Sequence, residues 1–275
     1  MPESVHVFDK YLWEEKLPQM WCPGCGNGIV LQSIFRAVEN AGIDHEKVVF
    51  VSGIGCSGRA NGYLRTSGLM TNHGRAISFA TGIKMQNPEL TVIIVTGDGD
   101  CVSIGGNHFI HAARRNIDLN VMVFNNSNYG MTGGQYSPTT PYGAMTKTSV
   151  YGNIEPDFDI CALAKAAGAT YVARSTTYHV KQLVGYMEKA IRHKGFSVVE
   201  TACDCPSLFG RLNKRGTPGQ MVARWKDVAV PISKAEKMSP EELVGKVVIG
   251  EFVNTDDKIE YTEAYQRVIE RAKGG

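Results

Sequence analysis

Along this chain, unbroken apolar runs alternate with segments whose apolar positions recur every three or four residues. The runs "KVVFVSGIGC" (47–56), "TVIIVTGDGD" (91–100), "LNVMVFNNSNYG" (119–130) and "FSVVETA" (196–202) are rich in β-branched residues. Each reads as a strand covered on both faces. The segments "NGIVLQSIFRAVENAG" (27–42), "HGRAISFATGIKMQNP" (73–88), "IGGNHFIHAARRN" (104–116), "DICALAKAAGA" (159–169) and "HVKQLVGYMEKAIRHKG" (179–195) read as helices. Gly42 is placed to cap the first of them, and Pro88 stops the second. "TYVARS" (170–175) is a further candidate strand. Buried strands alternating with helices specify an α/β fold, a central and mostly parallel sheet with helices on both faces. The expected organisation is an N-terminal arm and first helix (1–45), an α/β domain (46–202) and a mixed, polar C-terminal arm (203–275). Residues 1–20 read as irregular, and "YTEAYQRVIERAKGG" (261–275) as one amphipathic helix.

At 275 residues and 43% hydrophobic, the chain has ample length for a sizeable core. No apolar run approaches the ~20 residues of a membrane span. The start, "MPESVHVFDKYLWEEK", lacks the apolar centre of a signal peptide, so the expected compartment is the cytoplasm. A net charge of +2 gives no reason to expect nucleic acid or an anionic membrane as partner.

Chemistry enters at "TGDGD", where a buried strand ends in two aspartates interleaved with glycines. Ligands of parallel sheets bind outside the carboxyl ends of strands. Gly97 and Gly99 allow close backbone approach, and the following helix offers free N–H groups to an anion. A carboxylate beside a phosphate is repulsive unless a cation lies between them, and Mg²⁺ commonly bridges carboxylates to phosphates. Asp98 is therefore a candidate metal ligand. Asn126 stands 28 positions on, at the same rim of the next strand in a strand–helix–strand unit. Its amide oxygen and the backbone carbonyl of Asn128 complete a candidate oxygen set. The bland alternative makes Asp98 a helix cap and the asparagines a turn. A dinucleotide loop is the rival for the glycines, but position 102 holds Val where its third glycine belongs.

Seven cysteines change the picture again. Cys101 and Cys161 lie among apolar and small residues and read as buried spectators. Cys22-x-x-Cys25 suits zinc, a redox disulfide or an iron–sulfur cluster. Cys56 lies in a glycine loop after a strand, and Cys203 and Cys205 follow the last strand. Four thiolates from three loops suit zinc or a [4Fe–4S] cluster equally by count.

"GDGD" followed by "NN" is similar to the thiamine-diphosphate motif. With "CPGCG", "GIGCSGR", "HGRAISFATGIK" and "NNSNYGMTGGQYSPTTPYG" in order, the chain resembles the β subunits of the 2-oxoacid:ferredoxin oxidoreductases. That resemblance covers roughly residues 20 to 220. It implies a thiamine-diphosphate-binding fold, with Asp98, Asn126 and the Asn128 carbonyl on Mg²⁺. The diphosphate would meet the backbone near Gly97, Gly99 and Asp100, and Gly55, Cys56, Gly130, Met131 and Thr132 would line the cofactor. It also implies a [4Fe–4S] cluster on Cys22, Cys25, Cys56 and Cys205, with Cys203 the rival for the last place. "CPSLFGR" (205–211) matches the family's pattern apart from an extra Leu208.

The implied activity is CoA-dependent oxidative decarboxylation of a 2-oxoacid, with electrons leaving one at a time to ferredoxin. His73 and Arg59 are the candidate catalytic residues, with Arg75 nearby and structural roles open for all three. Thr132, Gln135 and "YSPTTP" resemble 2-oxoglutarate-type rather than pyruvate-type members. Thiamine enzymes need a glutamate against the aminopyrimidine ring, which in split members of this family belongs to a separate α subunit. The chain is thus expected to be half an active site within an α2β2 assembly. The competing readings are a non-redox thiamine enzyme subunit and a zinc-binding scaffold.

Overall fold

A computed structural model describes residues 7–274. Eight strands form one sheet: β1 (Val48–Ser52), β2 (Ser67–Met70), β3 (Thr91–Gly97), β4 (Leu119–Asn125), β5 (Tyr171–Thr176), β6 (Phe196–Ala202), β7 (Ala229–Pro231) and β8 (Val247–Asn254). Their order is β2-β1-β3-β4-β6-β5-β8-β7, and every pairing is parallel except β5 with β8. Among the described residues the α-helices are α1 (Val7–Tyr11), α2 (Asn27–Ala41), α3 (Ala76–Gln86), α4 (Gly106–Arg115), α5 (Ile160–Ala167), α6 (Val180–Arg192), α7 (Pro218–Val228), α8 (Ile232–Ala235), α9 (Pro240–Leu243) and α10 (Tyr261–Lys273). None is long and apolar enough to cross a membrane.

The period of two in the strands sorts their side chains between two cores. Ile93 and Val95 of β3, with Met122 and Phe124 of β4, face the core built with α2 and α6. Val92 and Ile94, with Val121 and Val123, face the core built with α3, α4 and α5. Both faces are dry, which is why these strands read as unbroken apolar runs. The central strands and the α2–α6 helices fall where the sequence places them. Gly42 caps α2 at a φ of 65°, a left-handed conformation open to glycine.

Two expectations are corrected. The stretch 1–20 is not wholly irregular: α1 packs Tyr11 in a stack on Phe35 of α2, while residues 1–6 lie outside the described residues. The segment 203–275 is not a separate arm, because β8 adds to the sheet beside β5 and carries β7 with it. β8 is half-exposed at most positions, with only Ile249 and Gly250 buried and Gly250 and Glu251 in its middle, so its sequence lacks the unbroken apolar run that marks the inner strands. β2 is an edge strand exposed along its length, and shares that cause.

Candidate cofactor site and thiol cluster

The register sets Ser52, Val95, Phe124 and Thr201 near the carboxyl ends of four adjacent parallel strands. The loops after β1, β3, β4 and β6 therefore emerge at one rim, carrying Gly53–Cys56, Asp98–Asp100, Asn126–Thr132 and Cys203–Cys205. A cavity opens there, lined by Gly55, Cys56, His73, Gly97, Asp98, Gly99, Asp100, Asn126, Asn128, Tyr129, Gly130, Met131 and Thr132, with Ile54, Ser57 and Phe124. Almost the whole predicted cofactor set meets in this one place.

Asp98 is 2% exposed. Its Oδ2 accepts hydrogen bonds from the Ser137 and Thr139 hydroxyls, each at 2.6 Å, and its Oδ1 accepts only a long 3.4 Å bond from the Asn126 amide. No basic side chain pairs with it among the described residues. Burial pushes its carboxyl up from the ordinary value of 3.8, with the two hydroxyls opposing. A buried carboxylate with one oxygen nearly free, in a cavity that Asn126 and Asn128 also line, offers hard oxygen donors of the kind that fit a divalent cation. Burial of such a charge is costly without one.

The two asparagines divide their work. Asn125 anchors the loop: its Nδ2 donates to Glu200 at 2.8 Å, and its Oδ1 accepts from the Ser127 amide at 3.1 Å. Ser127 is left-handed, with a φ of 60°, and so turns the chain back over the rim. Asn126 is the one that meets Asp98. Glu200 in turn is held by Arg174 Nε at 2.8 Å, while Arg174 Nη2 reaches Asp159 at 2.5 Å. Cys161, Asp159 and Glu200 lie close enough to bind an ion, but the Arg174 guanidinium already neutralises the carboxylates. Arg174→Met strands a buried charge on Glu200, and urea unfolding should show a loss of about 3–5 kcal/mol. A loss within experimental error would remove this network from the account.

Asp100 does a different job from Asp98. Its Oδ1 accepts from the Gly74 amide (2.7 Å) and His73 Nδ1 (2.5 Å), and its Oδ2 from the Thr96 hydroxyl (2.7 Å). It ties the loops after β1, β2 and β3 together. A Cβ at Gly53 would stand 1.9 Å from Asp100 Oδ2, so only glycine fits there. Gly99 has an ordinary helical φ of −66°; it is glycine because the Tyr129 ring lies where its Cβ would be, at 2.2 Å. That ring also meets His73 edge-on at 6.0 Å.

His73 lies at the cavity wall and is raised above 6.5, first by the Asp100 hydrogen bond, with burial opposing. The contribution of this pair is complete below about 6.5, the unfolded value, and is lost as pH rises through the higher folded value. His73→Gln should therefore flatten the stability–pH curve above 6.5, read by thermal midpoints across a buffer series. An unchanged curve would refute the pairing.

Arg59 does not join the cavity lining; it stands exposed, and its charge lowers the Cys56 thiol. Arg75 clamps its loop to the turn before α4 through bonds to the Gly74 and Ile104 carbonyls. Thr132 and Gln135 close the "TGGQ" turn on each other.

The thiols gather beside the cavity. Trp21 Nε1 donates to the Cys56 carbonyl at 2.6 Å, and the Gly26 amide to the Asp204 carbonyl at 3.0 Å, so the Cys22–Cys25 turn is stitched to both other loops. A Cβ at Gly130 would lie 3.3 Å from Cys56 Sγ and 3.8 Å from Cys205 Sγ. Burial, then repulsion from Cys205, Cys56 and Cys22, pushes Cys25 up to about 12 despite an opposing hydrogen bond from the Asn27 amide. Burial, then Cys205 and Cys22, pushes Cys56 up to about 11. Cys203 instead points into the apolar core against α2. No three of the four gathered sulfurs lie within 4.8 Å of one another among the described residues.

Sequence reasoning missed the Asp98 partners Ser137 and Thr139, the Glu200–Arg174 anchor and Tyr129. "YSPTTP" held the only signal for the first pair, a run of hydroxyls at a loop turn.

Residues 53–201 match the family described as "Thiamine pyrophosphate enzyme, C-terminal TPP binding domain". A "2-oxoglutarate synthase subunit KorB" from Methanocaldococcus jannaschii is 50% identical over 269 residues, 98% of this chain and 99% of that protein. A "2-oxoglutarate oxidoreductase subunit KorB" from Mycobacterium tuberculosis is 43% identical over 74% of this chain and 55% of its own length. The solved "2-oxoglutarate:ferredoxin oxidoreductase from Magnetococcus marinus with 2-oxoglutarate, coenzyme A and succinyl-CoA bound" superposes with a TM-score of 0.86 at 32% identity, covering 99% of this chain and 92% of that one. The chain belongs to the β-subunit family of the 2-oxoglutarate:ferredoxin oxidoreductases, among the thiamine-pyrophosphate enzymes.

Proposed function

We propose that this chain, with an α subunit, converts 2-oxoglutarate and CoA to succinyl-CoA and CO₂ and passes two electrons, one at a time, to ferredoxin. The observation that carries this reading is that Asp98, Asn126 and Asn128 line one cavity with Cys56 and Gly130, where the Cys56 and Cys205 sulfurs crowd Gly130 and couple to Cys22 and Cys25. Asp98 and Asn126 would hold Mg²⁺ with the carbonyl of Asn128, and the four thiols would hold a [4Fe–4S] cluster. When bound, thiamine diphosphate supplies an electron sink for the 2-oxoacid carbon and the cluster a one-electron route outward.

The chain's own residues bind and orient. Ser137 and Thr139 fix one Asp98 oxygen and leave the other for the cation. Asp100 sets the His73 ring and favours its charged form, placing a cationic donor beside the site of an anion. Met131 and Thr132 would face the substrate side chain. The names of the relatives favour 2-oxoglutarate over pyruvate; a strong pyruvate preference of the reconstituted enzyme would overturn that choice.

Among the described residues the cavity lining contains no glutamate, and the reading assigns that group to another chain. The loop between Asp98's two hydroxyl partners and Phe158, whose amide returns to the Pro138 carbonyl, exposes Tyr142, Val150, Tyr151 and Ile154. An apolar band of that kind next to the cavity suits a subunit contact. The assembly would be α2β2, in the cytoplasm.

The first test is the iron, acid-labile sulfide and zinc content of the chain purified without oxygen. About four iron and four sulfide per chain supports the reading. Zinc without sulfide overturns the electron path and leaves a non-redox thiamine enzyme or a scaffold. In a second assay the chain alone should be inert and become active with its α partner.

A further inference from the structure

Asn128 lines the cavity beside Asp98 and Asn126, and the residue is 5% exposed to solvent. The Nδ2 lies 3.8 Å from Cys205 Sγ in hydrogen-bonding geometry. The Oδ1 is buried and has no hydrogen-bond partner among the described residues. Among the described residues the sulfur is therefore the one hydrogen-bond partner of this side chain. The reverse orientation would press an oxygen acceptor against a thiolate. A buried, half-satisfied carboxamide costs stability that an apolar side chain of similar shape would not, so its position calls for a functional reason.

We propose that Asn128 is a positioning residue of the electron path: its Nδ2–H donates to the Cys205 thiolate and raises the reduction potential of the cluster held there. The inference rests on the [4Fe–4S] reading given above. Its physical basis is that a hydrogen bond to a ligand sulfur stabilises the more negative, reduced cluster. Because the backbone carbonyl of the same residue is the proposed cation ligand, one residue spans both halves of the site. The charge transfer needs no further group: a cluster held by these thiols would carry single electrons from the cofactor to ferredoxin, while the amide proton stays on Asn128.

The test is a potentiometric titration of the cluster's EPR signal in the α–β complex, with iron and sulfide measured on each sample. Asn128→Leu keeps the carbonyl and removes the donor; Asn128→Asp replaces the donor with an anion. The expected order of potentials is native, then Leu, then Asp, falling at each step. At a fixed potential the reduced-to-oxidised ratio of Asn128→Leu should fall about threefold to tenfold, tenfold being about 59 mV for a one-electron couple. A purely structural role would not produce that order. Equal potentials in the native and Leu proteins, with full iron and sulfide, overturn the proposal.

A measurement on the unmutated complex covers the case in which either variant fails to assemble. With ¹⁵N in asparagine side-chain amides only, the reduced cluster should show a ¹⁵N hyperfine coupling, and its absence overturns the proposal. Absence of iron and sulfide from the native complex is a different result: it refutes the cluster reading itself, and this inference with it.

Discussion

Asp98→Asn is expected to separate stability from binding. In the chain free of cofactor and Mg²⁺, the substitution removes a buried charge that no basic side chain offsets, so the thermal midpoint should be equal to or above that of the native protein. Affinity for thiamine diphosphate in the presence of Mg²⁺ should move the opposite way. Removing one partner of a buried charge contact costs about 3 kcal/mol or more, roughly a hundredfold or more in dissociation constant. Calorimetry of the α–β complex with the cofactor, at fixed Mg²⁺, reads this directly. The opposite signs discriminate between readings. If Asp98 were only a helix cap, loss of its charge would lower the midpoint and leave the cofactor affinity alone.

The second large effect belongs to the cysteines. Cys205→Ala should reduce iron and sulfide from about four each per chain to a small residue. Cys203→Ala should keep both, at a stability cost of about 1 kcal/mol for the volume removed from the core. The basis is where each sulfur points. Cys203 is packed against α2, with its Sγ 4.0 Å from Asn27 Oδ1, whereas the Cys205 and Cys56 sulfurs both lie against Gly130. The reverse outcome, cluster kept in Cys205→Ala and lost in Cys203→Ala, would move the ligand two residues.

Much of this molecule was written in local pattern. A strand buried on both faces must be apolar at every position, and a helix on such a sheet must be apolar every three or four residues; β1, β3, β4, β6 and α2–α6 obey those rules and are legible without coordinates. The Asp98 and Asn126 positions were legible for a related reason, since one strand–helix–strand unit brings the ends of neighbouring strands to a single rim. The chain alone also determined that four cysteines lie in loops at or near that rim.

What the sequence could not express is contact between stretches that share no local period. Ser137 and Thr139 reach Asp98 across 39 and 41 residues, and Glu200 reaches Asn125 across 75. Only the folded path decides that Asn125 serves the scaffold while Asn126 faces the cavity, that Arg59 stands outside it, and that Cys203 turns inward. β2 was hidden because it is an edge strand exposed at every position, and β8 because most of its positions are half-exposed and Gly250 and Glu251 interrupt its apolar residues. Periodicity reports which faces of an element are dry; which distant side chain completes a buried carboxylate, or turns a thiol toward its neighbours, is set by how the loops cross once those faces have packed.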